Sequence, residues 1–423
     1  MQNDCTAVTA PCSHAKATRA RARTLTSASL ERRTRLRFAL LVAPLALLAP
    51  FSLDTYLPSF PAMAADLSVD GAAMQATLSS YLVAFALATL VAGPLSDAFG
   101  RRPVVLWALV AYVATSALLV VAVEYWQVIG LRIGQGFAAA AGVVVSRALV
   151  RDRFDPIDSR RVFAIVTIMF AMGPAIAPIL GGYLQSSFGW RSVFAFLVLY
   201  GVVLLLAARL WLPETLPPVG RVSSRPRLVL GRYAGTLRNV QFLQPVLVHT
   251  TLFGAKFLFV AASPALIYVH LGGGERDFWW LFAPMVVGLM LGGVASGWSA
   301  GRVAPEVTVR IGLLLTGISL ALVGWAALAP EPSVAAVTLP FALYSFALAL
   351  GMPSLTLLAL DCYPGARGMA SAMQAFIQLG FAALLTLFVV DWLDDVLLHL
   401  VAGAAVIWLF AAFVWFGGGL GKR

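Results

Sequence analysis

Twelve stretches of about 20 residues, each almost free of charge, leave this chain few folds to choose from. A helix needs ~20 apolar residues to cross ~30 Å of hydrocarbon. Lipid satisfies no backbone hydrogen bond, so each stretch must satisfy its own. The blocks fall at 38–58, 75–95, 104–123, 128–149, 162–184 and 192–212, then at 242–268, 278–299, 308–329, 334–359, 366–390 and 397–417. Only 12% of the 423 residues are charged, against about a quarter in an ordinary soluble chain. No ~10-residue alternating pattern recurs, which disfavours an outer-membrane barrel. The expected class is an all-α polytopic membrane protein with twelve transmembrane helices.

The net charge of +11 invites a nucleic-acid partner, but its distribution argues for a bilayer instead. With both termini placed in the cytoplasm, 26 of the 30 Lys and Arg lie at or near that face. Arg132, Arg191 and Arg276 fall on the outer side and Lys256 inside a span. Acids do the opposite: Asp66, Asp70, Glu124, Glu275, Asp277, Glu331, Asp391, Asp394 and Asp395 lie outside. Insertion topology alone produces this bias, so no nucleic-acid partner is expected. Residues 1–37 are basic and rich in Ala, Thr and Ser, and the apolar block after them is too long for a cleaved leader. They read as a disordered cytoplasmic tail before an uncleaved first span. Cys5, Cys12 and Cys362 share the reducing side, so no structural disulfide is expected. Their spacing carries no metal signature.

The longest polar break, about 214–240, holds Pro217, Pro218, Gly220, Pro226 and five arginines. It divides the spans six and six. The expected organisation is a tail at 1–37, a six-helix bundle at 38–213, a basic linker at 214–240, a second bundle at 241–418 and a short tail at 419–423. SGWSAGR, Ser296 to Arg302, follows the eighth span where a degenerate copy of the 93–103 loop would fall. Two such halves with a substrate site between them are a common transporter plan.

That loop, GPLSDAFGRRP from Gly93 to Pro103, joins spans two and three. Gly93 and Gly100 allow a sharp turn and close helix approach. Arg101 and Arg102 suit the anionic cytoplasmic surface. Asp97, acidic on a basic side, has two uses open to it: capping a helix N-terminus or pairing with an arginine. The whole pattern resembles the signature loop of the major facilitator superfamily. The resemblance implies two pseudo-symmetric six-helix bundles that give alternating access to a central cavity. It makes this loop a conformational switch and the chain a solute carrier.

The fifth span holds GPAIAPILGG, Gly173 to Gly182. Pro174 and Pro178 lie one turn apart and invite a kink; Gly173, Gly181 and Gly182 permit close packing. On physics alone this is a kinked packing helix. It also resembles the antiporter motif of exporters in the superfamily, which favours efflux over uptake. LDTYLPSFPAMAADL (Leu53 to Leu67), GWRSVF (Gly189 to Phe194) and LPET (Leu212 to Thr215) narrow the likeness. They look like the Bcr/CflA-type multidrug exporters, the bicyclomycin and chloramphenicol resistance group. AASPALIY (Ala261 to Tyr268) and RGMASAMQAFIQ (Arg367 to Gln378) support it more loosely. The resemblance implies exchange of amphipathic compounds for protons.

Arg132, in LRIGQG of the fourth span, resembles the family's fourth-span arginine linked to proton coupling; snorkelling to the interface is the structural alternative. Asp54 is the candidate proton carrier, since a proton and a substrate cation compete for one carboxylate. The alternative is an interfacial acid beside Pro58. Counted from the inner end of its block, Asp54 lies ~24 Å up, toward the outer mouth. Lys256 departs from the family. It falls mid-way through the seventh span, where an ionisable group is a functional candidate by default. Spans one and seven are equivalent, so Lys256 is expected within ~3 Å in height of Asp54. A facing pair would disfavour cations and suit neutral or anionic substrates, so Lys256→Met should widen tolerance to cations. The alternative is a lysine in a watery crevice. Tyr56, Tyr81, Phe85, Phe170, Gln374 and Gln378, with Met169 and Met172, are expected to line the cavity, although each alone also suits helix packing.

The sequence excludes other classes by what it lacks. His14, His249, His270 and His399 have no acidic or Cys partner one helical turn away, and no phosphate-binding loop is present. No enzyme activity, cofactor or metal site is expected. The leading function is a proton-coupled antiporter exporting drug-like or amphipathic small molecules; the alternative is a dedicated exporter of one metabolite, such as an amino acid or siderophore. One chain holds both halves of the cavity, which predicts a monomer. The predicted place is the inner membrane, with substrate, protons and lipid as partners.

Overall fold

The computed structural model describes residues 36, 38–216, 231 and 233–417. The expected tails at 1–37 and 419–423, most of the linker at 214–240, and Cys5 and Cys12 lie outside the described residues or nearly so. Twelve described helices are long and apolar enough to cross a membrane: α1 Phe38–Leu67, α2 Gly71–Phe99, α3 Arg101–Val120, α4 Tyr125–Arg153, α5 Pro156–Phe188 and α6 Arg191–Trp211, then α7 Val240–Ala261, α8 Trp279–Ser299, α9 Pro305–Ala326, α10 Val334–Asp361, α11 Arg367–Phe388 and α12 Leu397–Gly417. No strand occurs among the described residues.

Polar residues at the helix ends act as caps. Asp70 accepts from Ala73 N at 2.8 Å to start α2. Glu124 and Gln127 form a reciprocal capping box at α4. Asn239 accepts from Gln241 N and Phe242 N at the start of α7. Each satisfies donors that a helix N-terminus leaves open.

Two spans differ from their apolar blocks, both through proline. In α1 the regular helix stops just after Asp54, passes through a short 3-10 turn at Leu57–Ser59 and resumes at Phe60–Leu67. Pro58 and Pro61 lack the donors that would carry the ladder through. The segment therefore runs on to Leu67, and Asp54 sits near its middle rather than toward its mouth. In α7 the helix ends at Ala261, before Pro264, and a π-turn follows at Leu266–His270. The first helix of each half thus breaks toward the same end.

The helix pairings repeat with an offset of six. α2 packs on α4, and α3 on α4 and α6; in the same way α8 packs on α10, and α9 on α10 and α12. Between the halves, α2 meets α11 and α5 meets α8, pairs that a six-helix exchange interchanges. The loops before α3 and α9 repeat as well: Gly100 and Gly301 have φ of +101° and +76°, each immediately before an arginine.

Acids gather at one end of the bundle and arginines at the other. The halves are sealed at the acidic end. There Tyr268 OH donates to Pro58 O at 2.7 Å, Gln75 Nε2 to Ala261 O at 3.0 Å, Arg276 Nε to Ser186 Oγ at 3.0 Å and Gln185 Nε2 to Glu275 Oε1 at 3.4 Å. At the basic end the corresponding bond among the described residues is Tyr233 OH to Leu90 O, 3.1 Å. The two outward arginines are both engaged: Arg191 pairs with Asp66 at 2.7 Å within its half, and Arg276 lies over the Tyr183 ring across the seam.

Candidate transport site

Arg132 is fully buried, with no route to an interface. Its Nη1 donates to Ser52 O at 2.9 Å and to Gln135 Oε1 at 2.6 Å. The guanidinium carbon lies over the Tyr56 and Tyr81 rings, 4.3 and 4.4 Å from their centroids. Nε and Nη2 have no hydrogen-bond partner. Two π faces stabilise a desolvated cation by ~2 kcal/mol or more each. The network continues outward: Gln135 Nε2 donates to Ser116 Oγ at 2.8 Å, and the Ser52 and Tyr112 hydroxyls share a bond of 2.7 Å. It ties α1, α2, α3 and α4 together around one positive charge. A lysine keeps the charge but has no planar fork to sit over two rings while donating to two oxygens. Arg132→Lys is expected to lower transport about tenfold, equivalent to ~1.4 kcal/mol, with the protein still inserted; efflux normalised to membrane-inserted protein measures it.

Asp54 stands one residue before the break in α1, 6% exposed. It lies within electrostatic reach of Tyr56, Tyr81 and Lys256. No ion pair joins Asp54 to Lys256; the described ion pairs are Arg101 with Asp97 and Asp152, Arg161–Asp158, Arg191–Asp66 and Arg367–Asp361. Lys256 is half-buried on α7.

The glycines of α5 set how closely it approaches α1 and the other half. A Cβ on Gly181 would overlap the Thr55 carbonyl oxygen, next to Asp54, and one on Gly182 would overlap that of Glu275 in the other half. Gly173 faces Pro50 and Leu47 of α1. Adjacent glycines therefore serve two contacts. Gly181 lets α5 touch α1 where it breaks, and Gly182 seats the segment before α8 when the acidic end is closed. Pro174 and Pro178 lie within the same helix.

At the basic end, helix α2 runs through Gly93 and Pro94 to Phe99, so the turn is Gly100 alone. Arg101 pairs with Asp97 at 2.6 Å and with Asp152 of α4 at 3.0 Å, and donates to Ser96 Oγ at 2.5 Å. Of the two uses open to Asp97, pairing is the one adopted here. Glu214, beyond α6, accepts from Arg101 N at 3.0 Å and Arg102 N at 3.3 Å. It caps α3, whose preceding glycine has no side chain to do so. Thr215 donates to Asp152 at 3.1 Å. Glu214→Gln is expected to cost about 1 kcal/mol of stability, because the amide keeps one acceptor but loses the charge at the helix start. Thermal unfolding in detergent reads this.

Residues 42–386 match the model of the Major Facilitator Superfamily. The chain belongs to that superfamily. As a superfamily member it is a transporter of small molecules, not an enzyme. It is 30% identical to a bicyclomycin resistance protein homolog of Haemophilus influenzae, over 67% of this chain and 71% of that one. It is 33% identical to a chloramphenicol resistance protein of Pseudomonas aeruginosa, over 66% and 67%. Its fold matches that of a bacterial homolog of the human lysosomal transporter Spinster with a TM-score of 0.71, covering 91% and 96% of the chains at 16% identity.

In this superfamily member the expected cavity residues occupy several different environments. Tyr56 and Tyr81 are fully buried and hold Arg132. Phe85 is buried and stacks on Tyr81 at 6.0 Å. Gln374 is buried and donates to Thr356 Oγ1 at 3.0 Å. Gln378 and Met169 are half-buried, and Phe170 and Met172 are exposed. Sequence reasoning had no role for Ser52, Ser116, Tyr112 or Asp152, and used Glu214 only as part of a motif. An acid just past a span on a basic face was the one available signal for Asp152 and Glu214.

A crevice of about 280 Å³ opens between the halves at the acidic end, lined by Phe60, Met74, Gln75, Pro264, Tyr268 and Asp394 among others. Burial, with Asp391 and Asp395 alongside, pushes the Asp394 carboxyl up to about 6.

Proposed function

We propose that this transporter exports amphipathic, drug-like small molecules in exchange for protons. The two bundles, 38–213 and 241–418, rock about the Asp54 level, joined by the 214–240 linker. Arg-rich ends mark the cytoplasmic side of an inner membrane, so both termini lie inside and the acidic end faces out. The chain works as a monomer, since both halves of the cavity belong to it. The observation that carries this reading is Asp54. It is the one acid set deep in a span, away from the helix ends, and it lies beside the break in α1, the Gly181 contact and the Arg132 clamp. A carboxylate so placed serves proton and substrate in turn. The resistance proteins among its relatives support drug-like cargo.

The test is efflux in everted vesicles across cationic, neutral and anionic amphipathic compounds, with the pH gradient imposed and then collapsed. Gradient-dependent movement of several unrelated compounds is expected. Movement of none would overturn the multidrug reading in favour of a dedicated metabolite exporter.

A further inference from the structure

The crevice at the acidic end crosses the seam, and the transport site makes no use of it. Phe60 and Met74 come from the first half, Pro264 and Tyr268 from the second, and Asp394 from the segment between α11 and α12. Two of the bonds that seal this end belong to its walls: Gln75 Nε2 to Ala261 O, and Tyr268 OH to Pro58 O. The crevice is therefore complete only while this end is shut, and an occupant touching both walls holds the halves together. A cavity of ~150 Å³ takes benzene; one of about 280 Å³ takes a ligand of one or two rings.

The polar groups specify its charge. Gln75 is 5% exposed, its Nε2 is committed to the seam, and its Oε1 has no hydrogen-bond partner. A buried acceptor left open is costly, and a ligand N–H satisfies it. Asp394, half-buried, takes part in none of the described ion pairs. Asp391 and Asp395 face it from its own segment, and Asp70 acts on Asp391 from the start of α2. From the segment after α7 comes His270, whose Nε2 lies 2.6 Å from the Asp394 carbonyl oxygen. Tyr268 is the other titratable side chain in the wall. Four carboxylates against one imidazole make this mouth attractive to cations and hostile to anions. With its carboxyl raised to about 6 by burial and the neighbouring acids, Asp394 is ionised at neutral pH and protonated in moderate acid.

We propose that this crevice binds a compact ring-bearing amine in its cationic form, and that the bound amine locks the acidic end closed. The ring lies against Phe60, Met74, Pro264 and Tyr268, and the ammonium turns toward Gln75 Oε1 and the Asp394 carboxylate. The site is distinct from Asp54. Its access from outside rests on the exporter reading, in which the acidic end faces out. There the lock is a brake: amine that accumulates outside binds at the mouth and stops turnover. Protons oppose it. A proton on Asp394 removes the ionised partner, so acid outside expels the amine, and by linkage the amine expels the proton. A steep gradient, acid outside, thus releases the brake when the driving force is greatest.

Tryptamine and tryptophol test this, since they share an indole ring and differ in charge, the first cationic and the second neutral in weak acid and weak base alike. Binding to the purified full chain is measured calorimetrically. Tryptamine is expected to bind about tenfold tighter than tryptophol at about pH 7.5 and to lose about tenfold at about pH 5, as Asp394 takes up its proton. Asp394→Asn should erase both effects. Closure is read at Gln185, which is buried and reaches Glu275 across the seam. With the native cysteines replaced by serine, labelling of Gln185→Cys by an impermeant maleimide should fall about fivefold in tryptamine. The proposal is overturned if tryptamine does not bind, if Asp394→Asn keeps the preference, or if labelling stays level or rises. It is also overturned if Asp54→Asn, rather than Asp394→Asn, abolishes binding, which would put tryptamine in the transport site. The outcomes separate the two readings. Gradient-driven export without Asp394-dependent binding would sink the lock and keep the exporter. Binding and closure without gradient-driven movement of any compound would do the reverse.

Discussion

Asp54→Asn is expected to reduce gradient-driven export at least 100-fold, to the level of vesicles lacking the protein. Asparagine keeps the volume and shape of the side chain at a site 6% exposed, so packing around the break in α1 is undisturbed. Unfolding temperature should stay within the range of a neutral surface change, roughly 0.5 kcal/mol. What is lost is the ability to alternate between a proton and a charged partner. Because no other acid lies deep in a described span, nothing nearby substitutes for it. Downhill movement of substrate without a gradient should persist, since alternating access does not need the proton itself. Everted vesicles with and without an imposed pH gradient separate these two rates. Full gradient dependence in the variant would move the proton site elsewhere, with Arg132 and Lys256 the next groups to examine.

The adjacent glycines of α5 give the second large effect, and they should behave differently. Gly181→Val drives a branched side chain into the Thr55 backbone within one half. Backbone cannot swing aside as a flexible side chain can. The overpacking is present in every state of the transport cycle. It should cost 1–3 kcal/mol or more and lower the amount of folded protein. Gly182→Val meets the Glu275 backbone across the seam instead. That clash exists only while the acidic end is closed, so the protein should fold normally yet rest with this end open. A cysteine at position 75, whose glutamine bridges to Ala261 O, reports the seam once the native cysteines are replaced by serine. Labelling by an impermeant maleimide should rise at least tenfold in Gly182→Val, a population shift of ~1.4 kcal/mol. Equal labelling in both backgrounds would show that the glycine pair does not control closure.

How far the chain could be read from its letters depended on the scale of the physics involved. All twelve spans were legible, because the bilayer sets a length and hydropathy that no tertiary contact alters. The ends of α1 and α7 were not. Pro58, Pro61 and Pro264 signal trouble for a helix, but the chain continues beyond Asp54 to Leu67 only because the segment packs against α2 and the segment after α7. Which face of a span looks inward was also hidden, since lipid and protein core are both apolar. Tyr56 and Tyr81 therefore read as cavity wall, whereas they enclose a guanidinium.

The sequence by itself determined the class of protein, the number of spans, the glycine turn before Arg101 and the rarity of charge at Asp54, Arg132 and Lys256. Each follows from a local rule: a ~20-residue hydrocarbon crossing, a backbone angle that glycine adopts most freely, and the high cost of an ion in lipid. Only the tertiary structure decided what those groups touch. Arg101 meets Asp152 from 51 residues away, and Arg132 meets Ser52 from 80. Such pairings depend on how twelve nearly interchangeable apolar cylinders are arranged, and that arrangement is set by small-residue contacts such as Gly181 on Thr55. A glycine in the sequence reveals that some neighbour comes close; its identity emerges only when the helices are packed.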